Sequence, residues 1–274
     1  MTHADKDEQF QQTQVLIVDD PAPRVRRLTL NRPEKRNALT NEMLEEIERL
    51  ARSLAADEQT RAVIVTATGN DFSIGADLSQ PRFQGDPQSM LIRRRALETG
   101  GLMMRALQEI HQPVICAMKG VATGGGACIP TACDFRIAAD TTRAGYGEVK
   151  MGINLMWNAV PVCVNLIGPA RAKRMIMSGK LFDAATLLSW GFVDEVVPLK
   201  DLDATARAWA EEYAALPPIA VQMIKRSINR YTSALDAAVM HMDADQWLLT
   251  AHSEDMKEAV TAFFEKRKPI FSGN

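Results

Sequence analysis

The residues of this 274-residue chain best suited to chemistry are the three consecutive glycines Gly124-Gly125-Gly126. They stand between an apolar stretch that reads as a buried strand and an apolar run that reads as a helix. Three glycines cost backbone entropy, and without side chains they let another group approach the main chain closely. The first N–H groups of the following helix have no partner within it and carry the positive end of its dipole. They suit an anion, or an oxygen that becomes negative during a reaction. A tight turn for close strand–helix packing would use the same residues, and this segment alone leaves both readings open. A second candidate is Phe72-Ser73-Ile74-Gly75-Ala76-Asp77-Leu78, just past the β-branched run Ala62–Ala67. Gly75 permits a sharp bend at the C-terminal end of a strand, where ligands bind in open α/β folds. Such a bend would free the Ala76 N–H to face a cleft.

Other motif chemistry finds little support. No GxxxxGK[ST] phosphate loop is present, and GxGxxG fails because Ile129 stands where its last glycine belongs. A GxSxG serine nucleophile would need glycine at position 71, which is Asp71. Cys116, Cys128, Cys133 and Cys163 form no CxxC pair and lie among apolar or small residues. They read as buried reduced thiols of a cytoplasmic protein rather than metal ligands. Net charge is −2, so no global field steers the chain towards nucleic acid or an acidic membrane. The clusters Arg93-Arg94-Arg95 and Lys266-Arg267-Lys268 are local, and each reads either as a solvated helix face or as a phosphate clamp. The polar start fits neither a signal nor a transit peptide, and no apolar run reaches the roughly 18 residues of a membrane span. With 46% apolar residues the chain can build a sizeable core, and one larger α/β domain with a helical extension fits best.

These candidates need elements to carry them. Gln14–Val18 and Arg24–Leu30 read as strands around a turn at Asp19–Pro23. Asn31–Ala38 is a polar loop, and Thr40 caps a helix with apolar positions Met43, Leu44, Ile47, Leu50, Ala51 and Leu54. Ala62–Ala67 reads as a strand covered on both faces, followed by a loop over Thr68–Ser79. A helix over Gln88–Ile110 leads to the strand Pro113–Met118, its edges blurred by Gly100-Gly101. From about Ala170 the pattern is helical apart from a strand at Phe192–Val197. Pro217-Pro218 divides two helices, and a last one spans Asp255–Lys266 with Met256, Val260, Phe263 and Phe264 as apolar positions. The strand–helix–strand order predicts right-handed crossover units in a stacked β/α architecture.

On these residues the chain resembles the crotonase superfamily, the enoyl-CoA hydratase/isomerase family. The resemblance rests on LNRPEKRNALT (30–40), GNDFSIGADL (69–78), GVATGGGAC (120–128), CDFRIAAD (133–140) and GYGEVKMGI (145–153). It continues through residues 167–198, PPIAVQMIKRSI (217–228) and AFFEKRKPIFSG (262–273). The resemblance implies a stacked ββα core over 14–200, a C-terminal helical region over 201–274 and a disordered start over 1–13. It implies a homotrimer or homohexamer and an acyl-CoA substrate, with coenzyme A entering only as part of the thioester and neither a separate cofactor nor a metal. By similarity, the Ala76 and Gly125 N–H groups form an oxyanion hole. Arg36, Ala38, Ile74, Asp77, Leu78 and Lys266 border coenzyme A, Arg36 and Lys266 facing its phosphates.

The resemblance also makes the acid–base residues decisive. Family hydratases place one glutamate just after the glycine turn and a second some twenty residues later. Here the first position is Cys128, a poor base as a buried neutral thiol; the second is retained as Glu148. A single carboxylate can move a proton from C2 to C4, so an enoyl-CoA isomerase or broader proton shuttle is the first reading. Hydration proper, hydrolysis or C–C cleavage, and non-catalytic acyl-CoA binding are the alternatives. Where relatives carry a glycine-rich turn, this chain has Asn154–Val160. There Trp157 either floors an unusual pocket or fills core, and Asn158 is a candidate to orient water or substrate. Gln80–Thr99 is expected to help roof the acyl pocket.

Overall fold

The computed structural model of the chain describes residues 15–77, 79 and 89–274. The start expected to be disordered, Leu78 and much of the expected pocket roof lie outside them. Strands β1 (Leu16–Ala22), β2 (Val25–Leu30), β3 (Ala62–Ala67), β4 (Val114–Met118), β5 (Val121–Thr123), β6 (Phe135–Ala139), β7 (Arg143–Gly145), β8 (Phe182–Asp183) and β9 (Glu195–Val197) form two sheets. The larger runs β1-β2-β3-β4-β6-β9, antiparallel at β1–β2 and parallel from there on. The smaller runs β5-β7-β8, with β5 and β7 parallel.

Helix α1 (Asn41–Ser53) links β2 to β3, α2 (Met90–Ala96) and α3 (Thr99–Gln108) link β3 to β4, and α4 (Gly125–Ala132) links β5 to β6. Between β7 and β8 lie α5 (Ala159–Ile167) and α6 (Pro169–Ser178); α7 (Ala184–Trp190) precedes β9. After β9 the chain is helical through α8 (Leu202–Ala215), α9 (Pro218–Thr232), α10 (Ala237–Met240), α11 (Asp243–Ala251) and α12 (Glu254–Glu265). This is the expected mixed α/β architecture with a helical C-terminal region.

The core explains why β3 and β4 carry apolar residues without alternation. Val63, Val65, Val114, Cys116 and Met118 face one cluster, which takes in Met43, Leu44, Ile47 and Leu50 of α1 and Met103, Met104 and Leu107 of α3. Ala62, Ile64, Ile115 and Ala117 face a second cluster, closed by Leu202, Ala206, Ala210 and Ala214 of α8. Successive strand side chains point to opposite faces, so both faces must be apolar. The expected cap forms: Thr40 accepts a hydrogen bond from the Met43 N–H.

Three expected boundaries move. The pair Asp19-Asp20 lies within β1, because Asp19 hydrogen-bonds Arg27 and Asp20 hydrogen-bonds Arg26 across to β2. These cross-strand ion pairs keep polar residues in a strand that by composition reads as a turn. The helix expected over Gln88–Ile110 is two helices, broken at Leu97-Glu98 just ahead of the weak helix formers Thr99-Gly100-Gly101. The strand expected from Phe192 begins at Glu195, since Phe192 and Val193 turn into the core and the Phe192 carbonyl accepts from Arg136.

The small face of α8 is a packing requirement. Ala210 is fully buried against the sheet, so Ala210→Leu should cost about 1–3 kcal/mol by overpacking. Urea unfolding should show a lower midpoint at unchanged slope.

Candidate active site

Three parallel runs end side by side. Ser73 bridges Ala122 of β5, donating to the Val121 carbonyl and accepting from the Thr123 N–H, both at 3.0 Å. On its other edge β5 pairs in register with β7, with Ala122 opposite Ala144 and Thr123 opposite Gly145. Along this row Ala76 and Gly125 each lie three residues beyond the aligned pair Ser73–Ala122, and Glu148 lies four beyond Ala144. Parallel register therefore delivers the three predicted catalytic residues to the same end of the smaller sheet.

Close backbone approach completes the arrangement. Gly75 has φ +87°, and a Cβ there would stand 2.7 Å from the Thr123 carbonyl oxygen and 3.3 Å from the Gly125 nitrogen. Only a residue without a side chain fits both the conformation and the contact. Leu39 donates to the Gly75 carbonyl, and its own carbonyl accepts from the Asp77 N–H. Successive N–H groups of an extended segment alternate in direction, so that of Ala76 points away from Leu39. Gly125 opens α4, and Gly124 uses its carbonyl to accept from the Ala127 and Cys128 N–H groups. As the helix's first residue, Gly125 has no intrahelical acceptor for its own N–H. Gly124, at φ +55°, lies against the Glu148 carboxylate; a Cβ there would be 2.9 Å from Oε1.

The loop ahead of α1 is fastened to this centre. The buried Asn37 donates to the Thr68 and Asp71 carbonyls at 2.9 Å, and the Ser73 hydroxyl donates to the Asn37 carbonyl at 2.7 Å. Arg36 Nε pairs with Asp71 Oδ2 at 2.6 Å, while Asp71 Oδ1 accepts from the Val121 N–H. Burial pushes the Asp71 carboxyl up, but the bonds from Arg36 and Val121 outweigh it and hold it below the usual carboxylate range. Ala38 is buried with its carbonyl bound by Arg32, and Arg32 also pairs with Asp77 at 3.1 Å. The Ile74 N–H donates to the Arg36 carbonyl. Arg36, Ala38, Ile74 and Asp77 thus share one braced loop pair beside the centre. Met256 of α12 packs on Gly152, and Lys266 caps the far end of that helix, ten residues and about 15 Å further along.

Below the glycine turn the surroundings are apolar. Cys128 is buried, and burial followed by the nearby Glu148 charge pushes its thiol well above the usual range. Burial likewise pushes the Tyr146 phenol well up, and raises the Cys163 thiol to about 12. All four cysteines are free and buried, as expected.

Trp157 and Asn158 are both left-handed, at φ +65° and +61°. The Trp157 indole is wedged between Gly125 of α4 and Gly100 of α3, and a Cβ on either glycine would overlap the ring. Asn158 is held rather than offered: its N–H donates to Asp243 Oδ2 and its side-chain amide to the Gly101 carbonyl. Trp157 also borders a cavity of about 180 Å³, with Arg94, Glu98, Arg105, His241 and Asp243 among its lining; Gly125 and Glu148 do not border it. The partnership of Gly100-Gly101 with Trp157-Asn158 was not foreseen, although two glycines inside a helical pattern were its visible trace. The part played by Asp243, 85 residues from Asn158, leaves no mark in local spacing.

A family model described as enoyl-CoA hydratase/isomerase matches residues 22–274. The chain is 32% identical over 242 residues to the short-chain-enoyl-CoA hydratase of Clostridium acetobutylicum, covering 88% of this chain and 91% of that one. It is also 32% identical over 258 residues to the probable enoyl-CoA hydratase echA8 of Mycobacterium leprae, covering 93% and 97%. The crystal structure of an enoyl-CoA hydratase/isomerase from Pseudoalteromonas atlantica T6c superposes with a TM-score of 0.83 at 30% identity, covering 94% of this chain and 100% of that one.

Asp71 ties the loops together and provides a test of their bracing. Asp71→Ala should cost about 1–3 kcal/mol at neutral pH, because the Val121 N–H loses its acceptor. Its folded-state carboxyl titrates below the unfolded one, so its contribution is complete above about pH 4. That contribution is lost as acid takes the pH down through the folded value. Denaturation across pH should show the gap between parent and variant closing in acid.

Proposed function

The chain belongs to the enoyl-CoA hydratase/isomerase family, within the crotonase superfamily, and on that premise we propose that it moves a proton on an acyl-CoA thioester through an enolate held by the Ala76 and Gly125 N–H groups. The observation that carries this reading is the Glu148 carboxylate lying against Gly124, at the mouth of the turn whose next N–H is that of Gly125. A thioester oxygen received by the two amides would set its α-carbon before the glutamate. Removing that proton makes an oxyanion, and peptide donors already in place stabilise it without reorganising; one such donor is worth roughly 3–4 kcal/mol. Proton transfer by a carboxylate and two amides needs no separate cofactor, and coenzyme A is carried as part of the substrate.

The same premise assigns the flanking residues. Arg36, Ala38, Ile74 and Asp77, with Leu78, line the approach of coenzyme A, Arg36 offering its permanently charged fork to phosphate. Lys266 reaches phosphate from the end of α12, across a subunit boundary. The buried free thiols fit a reducing, cytoplasmic setting. Among the described residues no helix is long and apolar enough to cross a membrane.

Isomerisation is favoured because the position one turn into α4 is a neutral thiol, leaving Glu148 as the base. Hydration is the second reading, favoured by the names of the relatives, several of which are hydratases. Incubation with 2-enoyl- and 3-enoyl-CoA in deuterated water separates them. Deuterium at C2 or C4 without net addition of water is the expected result; addition at C3 would establish hydration instead. Glu148→Gln should lower either reaction by about 10²–10⁴-fold while ester binding persists.

A homotrimer or homohexamer is the proposed assembly. Ile219, Met223, Ile224 and Ile228 leave an apolar stripe exposed along α9, and contiguous patches of this kind mark contact surfaces. Sedimentation equilibrium should return three or six times the chain mass, and a monomer would refute the assembly.

A further inference from the structure

We infer that Trp157 is a specificity-determining partition, which closes the acyl site just beyond the reacting carbons and confines the enzyme to short acyl groups. The inference rests on the acyl-CoA reading above and deepens it.

The geometry runs in one direction. Coenzyme A approaches along the braced loops, the thioester oxygen meets Ala76 and Gly125, and the α-carbon meets Glu148. On this inference an acyl chain continuing away from the loops passes over Gly125. There the Trp157 indole already lies on the glycine, its six-membered ring against Gly125 and its five-membered ring against Gly100. The residue is 6% exposed, so little of it is left to solvent. It is also held from behind. Its backbone is left-handed, which a bulky residue adopts only when the surroundings impose it. The next residue is pinned by the Asp243 carboxylate and the Gly101 carbonyl.

Beyond the indole lies the cavity of about 180 Å³. Its walls mix Arg94, Glu98, Arg105 and Asp243 with Leu97, Met156 and Met240, so a hydrocarbon tail lodged there would meet apolar side chains only by also stripping water from charged ones. Both the wall and what lies behind it therefore work against a long aliphatic chain. A single methylene that a pocket accepts or refuses is worth about 10–200-fold in kcat/KM, so several refused methylenes suffice for a steep cut-off.

The test compares matched four-, six- and eight-carbon enoyl-CoA esters in turnover, and butyryl- and octanoyl-CoA in calorimetric binding. It uses the parent chain, Trp157→Phe and Trp157→Ala. The parent should favour the four-carbon over the eight-carbon ester by at least about 100-fold in kcat/KM, and bind butyryl-CoA at least about tenfold more tightly than octanoyl-CoA. Trp157→Ala should narrow both ratios by about tenfold or more, with Trp157→Phe between. Should Trp157→Ala fail to fold, the parent's own length profile and Trp157→Phe still decide the matter. Length-blind binding by the parent, or unchanged ratios in a folded variant, would overturn the partition. Length-selective binding without turnover of any enoyl ester would leave the partition standing and sink the proposed reaction instead.

Discussion

The contact between the Gly75 backbone and the turn from Thr123 to Gly125 is the constraint on which the rest of this molecule depends. Two peptide segments can approach this closely only where neither carries a side chain into the gap. The approach brings an amide at the end of the Ser73–Ala76 run alongside the first amide of α4. Both segments are fixed by hydrogen-bonded register to β5, and β7 is fixed to the other edge of the same strand. The site is therefore a property of sheet geometry more than of side-chain placement. Main-chain donors held in this way have little freedom to lose when charge develops on a ligand, and such preorganisation is the principal source of electrostatic catalysis.

The electrostatic surroundings sharpen this design. Glu148 stands beside groups that stay neutral: the buried Cys128 thiol and the Tyr146 phenol, each pushed upward by burial. A thiol in place of a second acid leaves, among the described residues, one carboxyl group at this end of the sheet. Charge is concentrated instead on the outer loops, where Arg32–Asp77 and Arg36–Asp71 brace the backbone. Arg36 belongs to both the bracing and the surface. It secures Asp71, and its side chain is 56% exposed.

Much of this was legible in the amino-acid order, for physical reasons that differ from residue to residue. Thr40 and the apolar positions after it announce α1 because capping and helical periodicity are local. Ala62–Ala67 announces a doubly covered strand because burial on both faces removes alternation. The glycine turn and Gly75 are visible because close backbone approach excludes side chains. What was not legible is long-range. Asp19 and Asp20 look like turn residues until Arg26 and Arg27 are seen opposite them, and Phe192-Val193 look like strand until Arg136 is seen to hold the turn. Trp157 and Asn158 could be singled out as unusual, but α3 and Asp243 were needed to explain how they are seated.

The seating of Trp157 on two glycines also bears on how this sequence can change. No side chain can be added at position 100 or 125 while the indole is in place, and once either glycine is lost a tryptophan cannot return to 157. The three positions form an ordered lock: the ring must shrink first, and either glycine can be replaced only afterwards. A descendant lineage that crosses that order has passed a ratchet, and reversion at position 157 alone would no longer restore the ancestral pocket.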